Sequence, residues 1–184
     1  IQKEVASLQA RVMEYEYKPP ETNYTKQLKE LIDKPPPAHK IFLKNGRVSG
    51  LFFTIGDPSN ERVVCEGFAT GASIHEATGY CVHVAFDAGN LKAVAQTIRK
   101  LHSDVELFIA ADDDHKTDDN PGVTKATETA RSSNAKIAIP VWSKERGEKD
   151  TDFNDLFKSE GPQSIKNCFE KAERPFEEKT DSQA

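Results

Sequence analysis

The feature that most constrains this chain is a strict alternation of short apolar runs with amphipathic segments between Arg62 and Val141. RVVCEG and YCVHVAFD read as buried strands, and so do VELFIAADDD and AKIAIPV. Between them, GASIHEATG reads as a short helix closed by Gly79. NLKAVAQTIRKLH places Leu91, Val94, Ala95, Ile98 and Leu101 on one helical face. PGVTKATETARSS has proline in its first turn, the favoured position. Continuous apolar strands alternating with helices predict an α/β fold, a central parallel sheet of about four strands with helices on both faces. Right-handed crossovers bring every strand's carboxyl end to one edge, where such folds bind ligands.

Three of those four strands end in acid: Glu66, then Asp87, then the run Asp112-Asp113-Asp114. A core has little use for unpaired carboxylates, whereas at a ligand edge they can converge on a cation. In extended backbone, Asp112 and Asp114 project to one side and Asp113 to the other. Asp112 and Asp114 are therefore expected to share a metal, and Asp113 to serve the loop. Carboxylate oxygens suit Mg²⁺, which takes one or two protein ligands and leaves the rest to water and phosphates. Two such ions, roughly 3.5–4 Å apart, could clamp a phosphoryl transfer. Gly67 is expected to turn the chain sharply and admit a phosphate to the backbone, beside the free N–H groups of the helix that follows. Asp87 is a cap candidate or a supporting acid, because Asp favours helix starts.

The flanks are less regular. Residues 1–39 hold two short helical patterns, each stopped by prolines, and read as an extension or linker. The stretch KIFLKNGRVSGLFFTIGD reads as two strands joined by a turn at Asn45-Gly46. A last helix, expected over 161–172, carries Ile165, Cys168, Phe169 and Ala172 on one face; the charged tail, 173–184, is expected to be disordered. The chain begins with Ile and so reads as a piece of something longer. With 36% hydrophobic and 30% charged residues, and no apolar run near the roughly 18 residues of a membrane span, a soluble cytoplasmic protein is expected, with no membrane partner. Three cysteines, Cys65, Cys81 and Cys168, form no zinc or disulfide pattern. The net charge of −5 argues against tight nucleic-acid binding by this piece alone. Lys40, Lys44, Arg47 and Lys125 are the weak candidates for phosphate contact.

In order along the chain, VVCEGFATG, IAADDD and TDFNDL resemble the signature of the Toprim domain, shared by primases, topoisomerases and some nucleases. CEGFATGASIHEATG, VAFDAGNL and the NPG after the DxD are similar to plasmid- and phage-encoded primases, including the TraC-type primases of conjugative plasmids. The resemblance covers about residues 40–160. It implies Glu66 as general acid/base or metal ligand, Asp112 and Asp114 as metal ligands, Asp152 as a third acidic position, and Asp155 as its supporting neighbour. It also implies Mg²⁺, with Mn²⁺ as substitute, and primer synthesis from nucleoside triphosphates on single-stranded DNA for a mobile element. Other domains of a parent primase, or a helicase, would be partners. One departure is a five-residue insertion, HKTDD, before Asn120-Pro121-Gly122, where most Toprim sequences place a glycine soon after the DxD. A nuclease or topoisomerase-related domain is the alternative, although Tyr15, Tyr17, Tyr24 and Tyr80 mark no topoisomerase partner domain. A non-enzymatic receiver-like switch would need paired acids after the first strand and a late-strand lysine, and neither is present.

Overall fold

The computed structural model describes residues 45–176, and the chain divides into two units, 1–46 and 47–184. Lys40, Lys44 and the helical patterns of 1–39 lie outside the described residues. In the second unit the order is β1 (Phe53–Ile55), β2 (Glu61–Cys65), α1 (Phe68–Thr78), β3 (Cys81–Val84), a 3₁₀ turn (Ala88–Asn90), α2 (Leu91–Leu101), β4 (Glu106–Ala110), α3 (Pro121–Ser132), β5 (Lys136–Ala138), α4 (Phe153–Glu160) and α5 (Pro162–Glu170). The sheet runs β1-β3-β2-β4-β5. The four strands expected to be parallel are parallel, and β1 joins β3 antiparallel at the edge. The two-strand reading of KIFLKNGRVSGLFFTIGD is corrected in its described part. Only Phe53–Ile55 is a strand, and Gly50 and Leu51 are held instead by the buried Asn90, which bonds Gly50 N at 2.8 Å and Leu51 O at 2.9 Å.

Two cores follow from the period of two along the strands. Val63, Cys65, Val82, Val84, Phe108 and Ala110 face one way, beneath α1, α4 and α5. Val64, Leu107, Ile109 and Ala111 face the other, beneath α2 and α3. Each valine or isoleucine fully buried this way contributes about 1.5–3 kcal/mol, so the sheet is fixed by its apolar strands and not by the short turns. α1 comes very close to the sheet. A Cβ on Gly71 would lie 3.0 Å from both Cys65 Sγ and Val84 Cγ2.

The consequence for function lies in the strand order. The chain leaves β2 towards β3 and returns from β3 across β2 to β4, so the connections diverge between the two central strands. β2 carries Glu66 just past its end and β4 carries the DxD, and the crevice between such strands is the ligand position in open α/β sheets. At the far edge, Ile137 N donates to Glu173 O at 2.9 Å, so the tail expected to be disordered from its first residue instead begins as a short cover on β5. No helix among the described residues is long and apolar enough to cross a membrane.

Candidate functional site

Glu66, Asp112, Asp113, Asp114 and Asp152 are all half-buried at the carboxyl edge. Their convergence is registered by Cys65. Burial pushes the Cys65 thiol far above its ordinary value, and the negative charges of Asp112, Asp152 and Glu66 push it further, in that order. Three acids from distant parts of the sequence are thus near enough to one buried sulfur to act on it electrostatically.

Asp114 and Asp113 are anchored to the start of α3. Asp114 N donates to Asn120 Oδ1 at 2.9 Å, and Asp114 Oδ2 accepts from Gly122 N at 3.2 Å. Asp113 Oδ1 accepts from Asn120 Nδ2 at 2.6 Å. Asn120 caps α3 by accepting from Val123 N, with backbone in the left-handed region (φ 41°), which asparagine tolerates better than most residues. Gly122 is required for a different reason: a Cβ there would sit 2.2 Å from Asp112 O and 3.0 Å from Asp114 Oδ2. The inserted HKTDD thus forms an exposed excursion, and Gly122 still packs directly on the DxD backbone.

Asp152 is the N-cap of α4. Its Oδ1 accepts from Asp155 N at 2.9 Å, and its Oδ2 accepts from Thr70 Oγ1 at 2.5 Å. Asp155 supports from below, accepting from Thr151 N at 3.1 Å. Asp87 is exposed and caps the 3₁₀ turn, accepting from Gly89 N at 2.7 Å. Its capping reading is the one the geometry displays. Gly67 caps α1 without a side chain, at φ −91° and ψ 147°, a conformation open to any residue. The sharp-turn reason for Gly67 is therefore corrected to one of space, because a Cβ would press to 3.1 Å from the Thr70 Oγ1 that serves Asp152. Arg47 and Lys125 are exposed.

Residues without a sequence signal complete the site. Arg146 pairs with Asp113 Oδ2 at 2.5 Å and donates to Asp113 O at 2.7 Å, while Asp113 N donates to Thr151 O at 2.7 Å. Thr70 offered no cue beyond its place in FATG, and Arg146 none within the polar stretch WSKERGEKDTD.

No group of three or more His, Cys, Asp or Glu side chains among the described residues is drawn tightly enough to hold an ion by itself. A Mg²⁺ site does not demand that, since one or two carboxylates with water and phosphate suffice. The donors present are hard oxygens, and Cys65 is buried beneath them as a thiol, so the set suits Mg²⁺ and not a soft metal.

The Toprim domain family matches residues 61–163. Two DNA primases TraC of Escherichia coli are similar over 113 residues, at 36% and 34% identity, covering 56% of this chain in each case. The chain spans only 11% and 8% of those relatives. Among solved structures, the RNA polymerase domain of Mycobacterium tuberculosis primase DnaG, in complex with a double-stranded DNA with a 6-nucleotide overhang, aligns at 17% identity and TM-score 0.40, over 62% of this chain and 35% of that one. A DnaG primase catalytic domain bound to single-stranded DNA aligns at 16% identity and TM-score 0.42, over 62% of this chain and 34% of that one. With its family matched from β2 through α4 to the first residues of α5, and the acids of its motifs at one sheet edge, the chain belongs to the Toprim family.

Proposed function

We propose that this domain performs Mg²⁺-dependent nucleotidyl transfer in a DNA primase, joining ribonucleotides on a single-stranded DNA template. The observation that supports the reading is the set of half-buried acids Glu66, Asp112, Asp114 and Asp152 at the carboxyl edge of the sheet, with Asp114 held by Gly122 N and Asp152 by Thr70. Asp112 and Asp114 would hold the metal, with Glu66 and Asp152 as further oxygen donors. A bound Mg²⁺ would supply charge neutralisation for the phosphates and a lowered pKa for the attacking hydroxyl. Glu66, just past the end of β2 and before the Gly67 cap of α1, would take the proton from that 3′-hydroxyl. The first-turn N–H groups of α1, which Gly67 leaves without a side-chain partner, suit a phosphate oxygen. Template grip is assigned to other domains of a longer chain, because a net charge of −5 offers little attraction for DNA.

The test is incubation with single-stranded DNA, nucleoside triphosphates and Mg²⁺, with this chain alone and with this chain fused to further primase domains. Short oligoribonucleotides are expected, and Asp112→Asn should abolish them without unfolding the domain. Shortening of the DNA in the absence of nucleotides would overturn the primase reading in favour of a nuclease.

A further inference from the structure

Asp113, the middle acid of the DDD run, is bonded at both carboxylate oxygens and at both backbone groups. Asp113 Oδ2 and its carbonyl oxygen are both taken by Arg146, Oδ1 by Asn120, and its N–H by Thr151 O. Each of the three guanidinium nitrogens of Arg146 donates a hydrogen bond. Nε donates to Asp150 O at 2.7 Å, and the guanidinium carbon lies 4.0 Å from the centroid of the Trp142 ring. Trp142 in turn packs against the core beneath α1. Both partners of the ion pair are largely buried, with side chains 18% and 19% exposed, so the pairing is not the weakly held kind found on open surface. A planar guanidinium forking onto one residue fixes orientation as well as position.

We propose that Arg146 is a positioning residue for the metal-binding acids. By gripping the side chain and carbonyl of Asp113, it sets the direction in which the flanking Asp112 and Asp114 project. The same guanidinium holds the carbonyl of Asp150, and Asp113 N holds that of Thr151, so Arg146 and Asp113 together join the DxD to the stretch that leads into Asp152. Arg146 also offsets the charge of Asp113, which leaves the other acids to face the cation. The inference rests on the metal-site reading above.

Simple electrostatics and positioning predict opposite signs here. Removing a positive charge near a cation site strengthens cation binding if the charge acts only through space. Removing an aiming contact weakens binding, by about 10–100-fold for residues that orient metal ligands. The experiment is Mn²⁺ titration of the chain by calorimetry, for the native protein, Arg146→Met and Arg146→Lys, with thermal unfolding recorded for each. Emission from Trp142, the only tryptophan, gives a second readout of the stacked pair.

Both variants should bind Mn²⁺ at least about tenfold more weakly than the native chain. Lysine keeps the charge but loses the fork, so it should rescue little. Mn²⁺ should change Trp142 emission in the native chain and change it far less in Arg146→Met. Native or tighter affinity in a folded Arg146→Met overturns the proposal. If that variant does not fold, native affinity in Arg146→Lys overturns it equally. A native chain that binds no Mn²⁺ at millimolar concentration sinks the metal-site reading itself, and the proposal with it.

Discussion

At the scale of single residues, close approach governs this site more than backbone freedom does. Gly122 has no need of a left-handed conformation; it is a glycine because Asp112 O occupies the space of its Cβ. Gly122→Ala should therefore force β4's exit and the start of α3 apart, at a cost of about 1–3 kcal/mol. Urea unfolding would measure that loss, and Mn²⁺ affinity should fall with it; an unchanged midpoint would show that the loop gives way at no cost. This constraint was only half legible in the sequence. NPG after an acidic run announces a helix start, but the atom that fills the space belongs to a residue ten positions earlier and is visible only in three dimensions. The same holds for Asp113. The alternation of an extended strand separates it from Asp112 and Asp114, yet nothing in WSKERGEKDTD shows which of its charges folds back 33 residues to meet it.

At the scale of elements, the strands and helices of the parallel unit were readable because each is bounded by its own chemistry: Gly79 in the left-handed region after α1, Pro121 opening α3, apolar runs for β2 and β4. The described stretch before β1 was not, because Gly50 and Leu51 are tied down by Asn90 from another element and not by a partner strand. In α4, the acid proposed as an oxygen donor to the metal also holds the fold. Asp152 caps α4 and receives Thr70, so Asp152→Ala should cost about 1–2 kcal/mol. Asp152→Asn retains both hydrogen bonds, with Thr70 now accepting, and should leave the unfolding midpoint near native while weakening Mn²⁺ binding. A variant with native Mn²⁺ affinity would reduce Asp152 to a cap alone.

At the scale of the whole molecule, stability is tied to pH through the face opposite α1. His83 is buried in β3, hydrogen-bonded to Thr54 Oγ1 at 3.1 Å, with the buried Arg62 at 3.5 Å and Cys81 at 3.9 Å. Burial first, then the positive charges of Arg62 and His102, hold its pKa down to about 4 from an ordinary 6.5. Between those values the unfolded chain binds the proton and the folded chain does not, so the domain loses stability as pH falls through this window and keeps it in full above. Carboxylates add their own acid sensitivity, so the measurement is a difference. His83→Gln should lose less stability between pH 7 and pH 4.5 than the native chain does, by urea midpoints. An equal or steeper loss would show that His83 is protonated in the folded state.

The five-residue excursion after the DxD has its own consequence. His115 N returns to Asp113 O and Thr117 N to Asp114 O, both at 2.8 Å, while Asn120 shuts the far end against Asp113 and Asp114. All five residues, His115 to Asp119, are exposed. Closing a longer loop across the same gate costs only a term logarithmic in its length. The distance in sequence between the acids and α3 is thus uncoupled from their distance in space, so residues can be added to or removed from this exposed bend without moving Asp113 and Asp114 from the start of α3.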